Sequence, residues 1–141
     1  MTKSNFQELS SLFFEMRQTI RANLPIGQAD PNAWMRFETL CFIAENEKPT
    51  MQDIAKQLRV TAPSATSLIR KLSSLGWVER VPLETDKRVV RISLTKKGTK
   101  ELAGYRRRSE TTMRKVFSKL PERDLVHLIR ALRSLRDIHS T

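Results

Sequence analysis

The chain has 141 residues, 26 of them lysine or arginine against 15 aspartates and glutamates, so its formal net charge is +11. This length suffices for one domain with its own core but hardly for two independent ones. A single cysteine, Cys41, excludes an internal disulfide, and the strong positive charge favours a polyanionic partner, most often nucleic acid, over a basic surface without a dedicated partner.

The first predicted element is an amphipathic helix whose apolar stripe recurs at steps of three and four residues: Phe6, Leu9, Leu12, Phe13, Met16 and Ile20. Leu24-Pro25-Ile26-Gly27 is expected to end this helix, because proline and glycine interrupt helices. Asp30-Pro31 is then expected to open a second helix. Its predicted apolar face consists of Trp34, Phe37, Leu40, Cys41 and Ala44.

Two further helices joined by a tight connection are predicted next. Thr50 is a suitable N-cap for a short third helix, whose apolar residues are Met51, Ile54, Ala55 and Leu58. Thr61 is the predicted N-cap of the fourth helix, and Pro63 stands in its first turn, where a missing N–H does no harm. The core stripe of this helix is Ala65, Leu68, Ile69, Leu72 and Leu75. Gly76 occupies the position of a left-handed C-cap.

The apolar spacing then changes to alternation, which predicts two strands over residues 77–81 and 89–94, joined by a polar loop over 82–87. Thr95 is expected to cap a long helix that runs to about Leu120, and Pro121 to begin the last helix. The stripe of that last helix is Leu125, Leu128, Leu132 and Leu135. Because the stripes of the first and last helices are wider than one small lobe can cover, we expect a homodimer.

The third and fourth helices have the arrangement of a helix-turn-helix, and the fourth has the character of a groove-binding helix. At 100° per residue, the side opposite its core stripe centres on Pro63, Ser67, Arg70 and Ser74, with Ala62, Ser64, Thr66 and Lys71 on the flanks. No acidic residue occurs between Ala62 and Ser74. Short hydroxyl side chains followed by cations suit the major groove of DNA, whereas a plain solvated face is the alternative.

The predicted hairpin is also basic, with Arg80, Lys87, Arg88 and Arg91 along its strands and loop. A basic loop of this kind can enter a minor groove, where the narrow groove's potential favours arginine. Asp86 stands two residues before Arg88 and could orient it by a charge-assisted hydrogen bond. The alternative is an ordinary salt bridge on a surface turn.

The segment LIRKLSSLGWVER, followed by ETDKRVVRISLTKKG, resembles the MarR-type winged helix-turn-helix regulators. The most recognisable motifs are Asp86-x-Arg88 and the Leu94-Thr95-x-x-Gly98 that follows. The resemblance implies a mostly α fold with a small β-hairpin wing. It also implies a helical dimerisation region over residues 1–30 and 96–141 and a DNA-binding lobe over 31–95. Arg88 would then be the minor-groove residue, held by Asp86, and many such proteins release DNA when a small aromatic compound binds.

We therefore predict a homodimeric, sequence-specific transcriptional regulator that binds a pseudo-palindromic DNA operator. Regulators of this family are more often repressors. We expect neither catalytic residues nor a cofactor. The predicted DNA-binding residues are Thr61, Pro63, Ser64, Thr66, Ser67, Arg70, Lys71, Arg80, Asp86, Lys87 and Arg88. A winged-helix module that binds a protein is the second hypothesis, and the acid-free face of the fourth helix argues against it. A small enzyme is the third, although no phosphate-cradling loop or nucleophile motif supports it.

Other residues are assigned structural roles. Cys41 is expected to be a buried thiol rather than a peroxide sensor, because it lies on an apolar stripe and the only tyrosine, Tyr105, is distant in sequence. His127 and His139 have no neighbours spaced for a metal site. Residues 106–108, three arginines, are expected on a solvated helical face. The N-terminus does not resemble a signal peptide and no stretch approaches about 18 apolar residues, so we expect a soluble cytoplasmic protein.

Overall fold

The computed structural model describes residues 3–23 and 32–140. Their elements are α1 (Lys3–Asn23), α2 (Ala33–Glu45), α3 (Met51–Leu58), α4 (Ala62–Ser74), β1 (Val78–Pro82), β2 (Val90–Leu94), α5 (Lys96–Phe117) and α6 (Glu122–His139). The predicted order of helices and hairpin is confirmed, although α5 ends three residues before the predicted Leu120. The expected helix end at residues 24–27 and the helix start at 30–31 lie outside the described residues.

The chain divides into two compact units. One unit contains α1 and the chain from Ser109 onward. The other contains the described residues between α1 and Arg108, including the first part of α5. The predicted functional division, with the whole of 96–141 in a dimerisation region, stays a prediction.

The core of the second unit is a cluster to which every one of its elements contributes: Phe37, Leu40, Ile43, Ile54, Ile69, Leu72, Val78, Ile92 and Leu102. The prediction for α2 was partly wrong. Trp34 is 62% exposed and Ala44 is also exposed, whereas Ile43 and Thr39 are buried. Apolar residues lie nearly all round α2, so their spacing alone did not determine which face packs inward.

The prediction for Cys41 also needs correction, because the thiol is half-buried against the core rather than fully buried. Tyr105 is distant from it in sequence but near it in space. The Tyr105 ring stacks on Phe37 with a centroid distance of 4.2 Å. Burial raises the pKa of the Tyr105 hydroxyl, and the neighbouring Cys41 and Glu38 raise it further.

The two strands form an antiparallel hairpin in which Val78 pairs with Leu94 and Pro82 with Val90. The segment before α3 joins this hairpin through a bridge between Thr50 and Arg91. The Ile92 N–H donates to the Pro49 carbonyl at 2.9 Å. The hairpin is therefore attached to the start of the helix-turn-helix, which fixes the two parts of the lobe relative to each other.

The first unit leaves much of its apolar surface uncovered. On α1 the large exposed apolar residues are Phe6, Leu9, Leu12, Phe13, Phe14 and Met16. On α6 they are Val126, Ile129, Leu132, Leu135 and Ile138, and no described residue of α6 is buried. Within residues 3–23 and 32–140, no helix is long and apolar enough to cross a membrane.

Candidate nucleic-acid interface

The helix-turn-helix begins with a reciprocal cap on α3. The Asp53 N–H donates to the Thr50 hydroxyl at 3.2 Å, and the Thr50 N–H donates to the Asp53 carboxylate at 2.9 Å. The hydrogen bond from the Thr50 N–H, and after it that with the Thr50 side chain, hold the pKa of the Asp53 carboxyl below its usual value. The cap satisfies two amide groups that would otherwise be unpaired at the start of α3.

The connection between α3 and α4 is short and well defined. Arg59 caps the end of α3 in a left-handed conformation, with φ 54° and ψ 45°. Thr61 then caps α4, because its hydroxyl oxygen accepts the Ser64 N–H at 3.3 Å. The same hydroxyl donates to the Ser64 Oγ at 2.9 Å, and Pro63 lies in the first turn as predicted. The chain therefore reverses direction within a few residues, as a helix-turn-helix requires.

The exposed face of α4 contains most of the predicted DNA-binding side chains. Ala65, Ile69 and Leu72 are buried beneath it. The exposed residues are Thr61, Pro63, Ser64, Ser67, Arg70 and Lys71. Thr66 is half-buried, and its hydroxyl donates to the Ala62 carbonyl at 2.9 Å, so this side chain is already engaged by the helix backbone.

Three side chains on this face have polar groups available for a ligand. Within the described residues, the side chains of Ser67, Arg70 and Lys71 form no hydrogen bond or ion pair with another residue. Ser67 and Arg70 are one turn apart on the centre of the face, and Lys71 projects about 100° to one side of Arg70. The face therefore offers one hydroxyl and two cations without a neighbouring carboxylate on the same helix.

The loop of the hairpin holds the predicted pair of Asp86 and Arg88. The Arg88 backbone N–H donates to Asp86 Oδ1 at 3.0 Å, and the Arg88 Nε donates to the same oxygen at 3.2 Å. The Arg88 Nη2 lies 3.4 Å from Asp86 Oδ2. These hydrogen bonds, first that of the Arg88 side chain, lower the pKa of Asp86. The Arg88 side chain remains 92% exposed, so it is oriented by Asp86 without being covered.

The other basic residues of the hairpin differ in their availability. Arg80 and Lys87 are exposed. Arg91 is half-buried, and its Nη1 donates to the Lys48 carbonyl at 3.1 Å. Arg91 therefore supports the connection between α2 and α3, a structural role that its position on the hairpin did not reveal.

The Leu-Thr-x-x-Gly motif fixes the junction between the hairpin and α5. The Thr95 hydroxyl donates to the Gly76 carbonyl and accepts the Gly98 N–H. A Cβ atom added to Gly98 would lie only 1.9 Å from the Trp77 carbonyl oxygen. Gly98 is therefore required by close backbone packing, and Gly76 has a φ of 75°, which favours glycine at the end of α4.

The three consecutive arginines of α5 are only partly the solvated face that was expected. Arg106 lies 3.7 Å from a carboxylate oxygen of Glu45. Arg107 is exposed, but Arg108 is half-buried and its Nε is buried without a hydrogen-bond partner. Among the described residues, no three histidine, cysteine or acidic side chains lie close enough together to hold a metal ion.

Comparisons with known proteins agree with this arrangement. The MarR family model matches residues 34–90, which span α2, the helix-turn-helix and the hairpin loop. A MarR family protein from Bacillus stearothermophilus covers 100% of this chain and 99% of its own, with 22% identity and a TM-score of 0.82. A comparison with curated protein sequences gives no significant match.

Two further solved structures share the fold. Streptococcus pneumoniae FabT, solved in complex with DNA, is 24% identical over 96% of this chain and 95% of its own, with a TM-score of 0.70. Bordetella bronchiseptica BpsR, whose DNA binding is regulated by 6-hydroxynicotinic acid, is 17% identical over 93% of this chain and 91% of its own, with a TM-score of 0.66. The MarR family consists of transcription regulators and not of enzymes. The MarR family model therefore matches residues 34–90, and the chain shares the fold of solved MarR-family winged-helix regulators.

Proposed function

We propose that this protein is a homodimeric regulator that recognises a pseudo-palindromic DNA operator through α4 and the hairpin loop. The observation that carries the proposal is the exposed face of α4, where Ser67, Arg70 and Lys71 have no partner among the described residues. A helix with short side chains near its start can enter a major groove deeply. The exposed Arg88 of the same lobe then reaches the adjacent minor groove.

The proposed roles of the side chains follow from their positions. Ser67 and Arg70 contact base edges, because they lie at the centre of the exposed face. Lys71, Arg80 and Lys87 contact phosphates from the sides, where long cations reach the groove walls. The residues at the start of α4 allow a close approach of the helix to the groove: Thr61, Pro63, Ser64 and Thr66. Asp86 acts as a positioning residue for Arg88.

We propose that residues 1–30 and 96–141 form the dimerisation region and 31–95 the DNA-binding lobe. The apolar side chains exposed on α1 and α6 support this proposal, since five on α6 alone are more than 40% exposed. Exposed apolar side chains in such number are unusual on a monomeric protein. A second copy related by a twofold axis would cover these side chains, and we propose that the two α4 helices of the dimer bind neighbouring major grooves.

We further propose that the protein acts as a repressor in the cytoplasm and that a small aromatic ligand releases it from DNA. The regulation of BpsR by an aromatic acid supports this for a protein of the same fold. A mainly apolar surface depression supports it for this chain, lined by Met113, Arg114, Phe117, Ser118 and Leu125. Apolar walls suit the ring of such a compound, whereas the one cation in the lining, Arg114, is already paired with Glu110 at 2.6 Å.

Selection of bound fragments from the source genome, followed by titration of the enriched DNA at several salt concentrations, tests the proposed function. If a dimer contacts about 8 phosphates, the slope of log affinity against log salt should be roughly −7. Enrichment of one pseudo-palindromic sequence with a steep slope is the expected result. A protein without a preferred sequence, or with a flat salt response, would favour the alternative of a protein-binding module.

A further inference from the structure

Two described residues other than glycine have a positive φ, and both are cations in the turns on either side of α3: Lys48, at 44°, and Arg59, at 54°. This conformation is strained for any residue with a Cβ atom, and helix ends of this kind favour glycine. Lys48 is held in its turn because its carbonyl accepts the Arg91 guanidinium. Arg59 stands where a glycine would be the less strained choice.

The side chain of Arg59 does not stabilise the lobe through a visible contact. It is exposed, and within the described residues it forms no hydrogen bond or ion pair. Its backbone N–H donates to the carbonyls of Ala55 and Lys56, which a glycine would do equally well. A cation near the end of α3 is also already present, since Lys56 lies in the last turn. A strained residue whose side chain has no internal partner is a candidate for an external one.

The position of Arg59 in the turn indicates what that partner is. Arg59 lies two residues before Thr61, the cap of α4, and so stands in the connection that leads into the groove-binding helix. DNA bound along the exposed face of α4 has its phosphate backbone on either side of that helix. The guanidinium binds a phosphate in a fixed geometry, which suits a point anchor beside the start of α4.

We infer that Arg59 is a phosphate anchor that fixes the start of α4 on the DNA backbone. This inference rests on the proposed DNA-binding function and adds to it a residue of the turn, outside the exposed face of α4 and the hairpin. The anchor contacts the sugar-phosphate backbone, so it contributes affinity without choosing the sequence. Arg59 in its left-handed turn then lowers the conformational stability of the lobe and increases the affinity for DNA.

The test compares Arg59→Gly and Arg59→Lys with the wild type, using the selected operator. Arg59→Gly removes the cation and relieves the strain, so we expect a higher melting temperature together with about tenfold weaker binding at low salt. The salt slope should become shallower by about two, because a dimer loses two phosphate contacts. Arg59→Lys should keep most of the affinity. The sequence preference should stay unchanged in both variants.

Two further variants make the result decisive. Lys119→Gln removes an equal charge from an exposed position between α5 and α6, so it controls for net charge and should leave binding within twofold. Arg59→Asn is uncharged and tolerates the left-handed turn, and it replaces Arg59→Gly if that variant is less stable than expected. If the wild type binds its operator and the uncharged variants bind equally well, the inference is wrong while the proposed function stands. A wild type without salt-dependent DNA binding would contradict both.

Discussion

Replacing Gly98 by alanine tests the packing of α5 against the hairpin most severely. A Cβ atom at this position would lie 1.9 Å from the Trp77 carbonyl oxygen, whereas van der Waals contact requires about 3.5 Å. The start of α5 would have to move by about 1.6 Å. That movement would break the hydrogen bonds that Thr95 forms with the Gly76 and Trp77 carbonyls.

The expected change in the free energy of unfolding is the sum of three contributions, two unfavourable and one favourable. Two lost hydrogen bonds cost about 1 kcal/mol each, and the overpacking costs about 1–3 kcal/mol. The higher helix propensity of alanine returns about 1 kcal/mol. We therefore expect Gly98→Ala to lower the free energy of unfolding by about 2–4 kcal/mol. Helix propensity alone predicts a higher free energy of unfolding. The sign of the measured change therefore tells whether helix propensity or the close packing at Gly98 dominates.

Urea denaturation at one fixed protein concentration measures this effect, because the proposed dimerisation would make the apparent stability depend on concentration. Gly104→Ala is the matched control within the same helix. Its added Cβ would lie 3.1 Å from the Arg108 Nη1, the far end of a flexible side chain, so we expect a gain of up to about 1 kcal/mol. A Gly98→Ala variant with a midpoint equal to or above that of the wild type would refute the argument.

Three other predictions concern pH, DNA binding and assembly. The pKa of Asp53 is lowered in the folded chain, so the stabilising effect of this carboxylate is complete above its unfolded pKa of about 3.8 and disappears as the pH falls through the folded pKa. Urea titrations should show the difference in free energy of unfolding between wild type and Asp53→Ala narrowing over that pH range. A difference that is independent of pH would contradict this. Arg88→Ala should weaken operator binding by about 1–3 kcal/mol with unchanged helicity, and Asp86→Ala should cause a smaller loss of affinity. Unchanged binding by the Arg88 variant would show that the hairpin loop does not contribute to DNA binding. Sedimentation should show a dimer at micromolar concentration for the wild type and a shift towards monomer for Phe13→Asp, and a folded wild-type monomer would disprove the assembly.

Much of the fold was predictable because its boundaries depend on local chemistry. Thr50 and Thr61 cap the helices that follow them, and Gly76 adopts the left-handed conformation that its position after α4 suggested. The buried face of α2 was less predictable, because its apolar residues surround the helix. The apolar spacing assigns Trp34 to the core and omits Ile43, although Trp34 is exposed and Ile43 is buried.

The candidate site was predictable where its parts are close in sequence. Asp86 and Arg88 are two residues apart, so the sequence alone indicates their pairing. The contact of Arg91 with the Lys48 carbonyl joins residues 43 positions apart, and no local pattern indicates it. The strain at Arg59 could not be predicted either, because only its backbone angles identify it.

The binding preferences of Arg70→Ala and Lys71→Ala test the central claim most directly, because they ask whether α4 lies in the major groove as proposed. A selection from random DNA should return, for the wild type, two half-sites about 10 base pairs apart. Arg70→Ala should change the preferred base at one position of each half-site, whereas Lys71→Ala should weaken all sequences nearly alike and make the salt slope shallower. An unchanged preference for Arg70→Ala, or an altered one for Lys71→Ala, would contradict this orientation of α4.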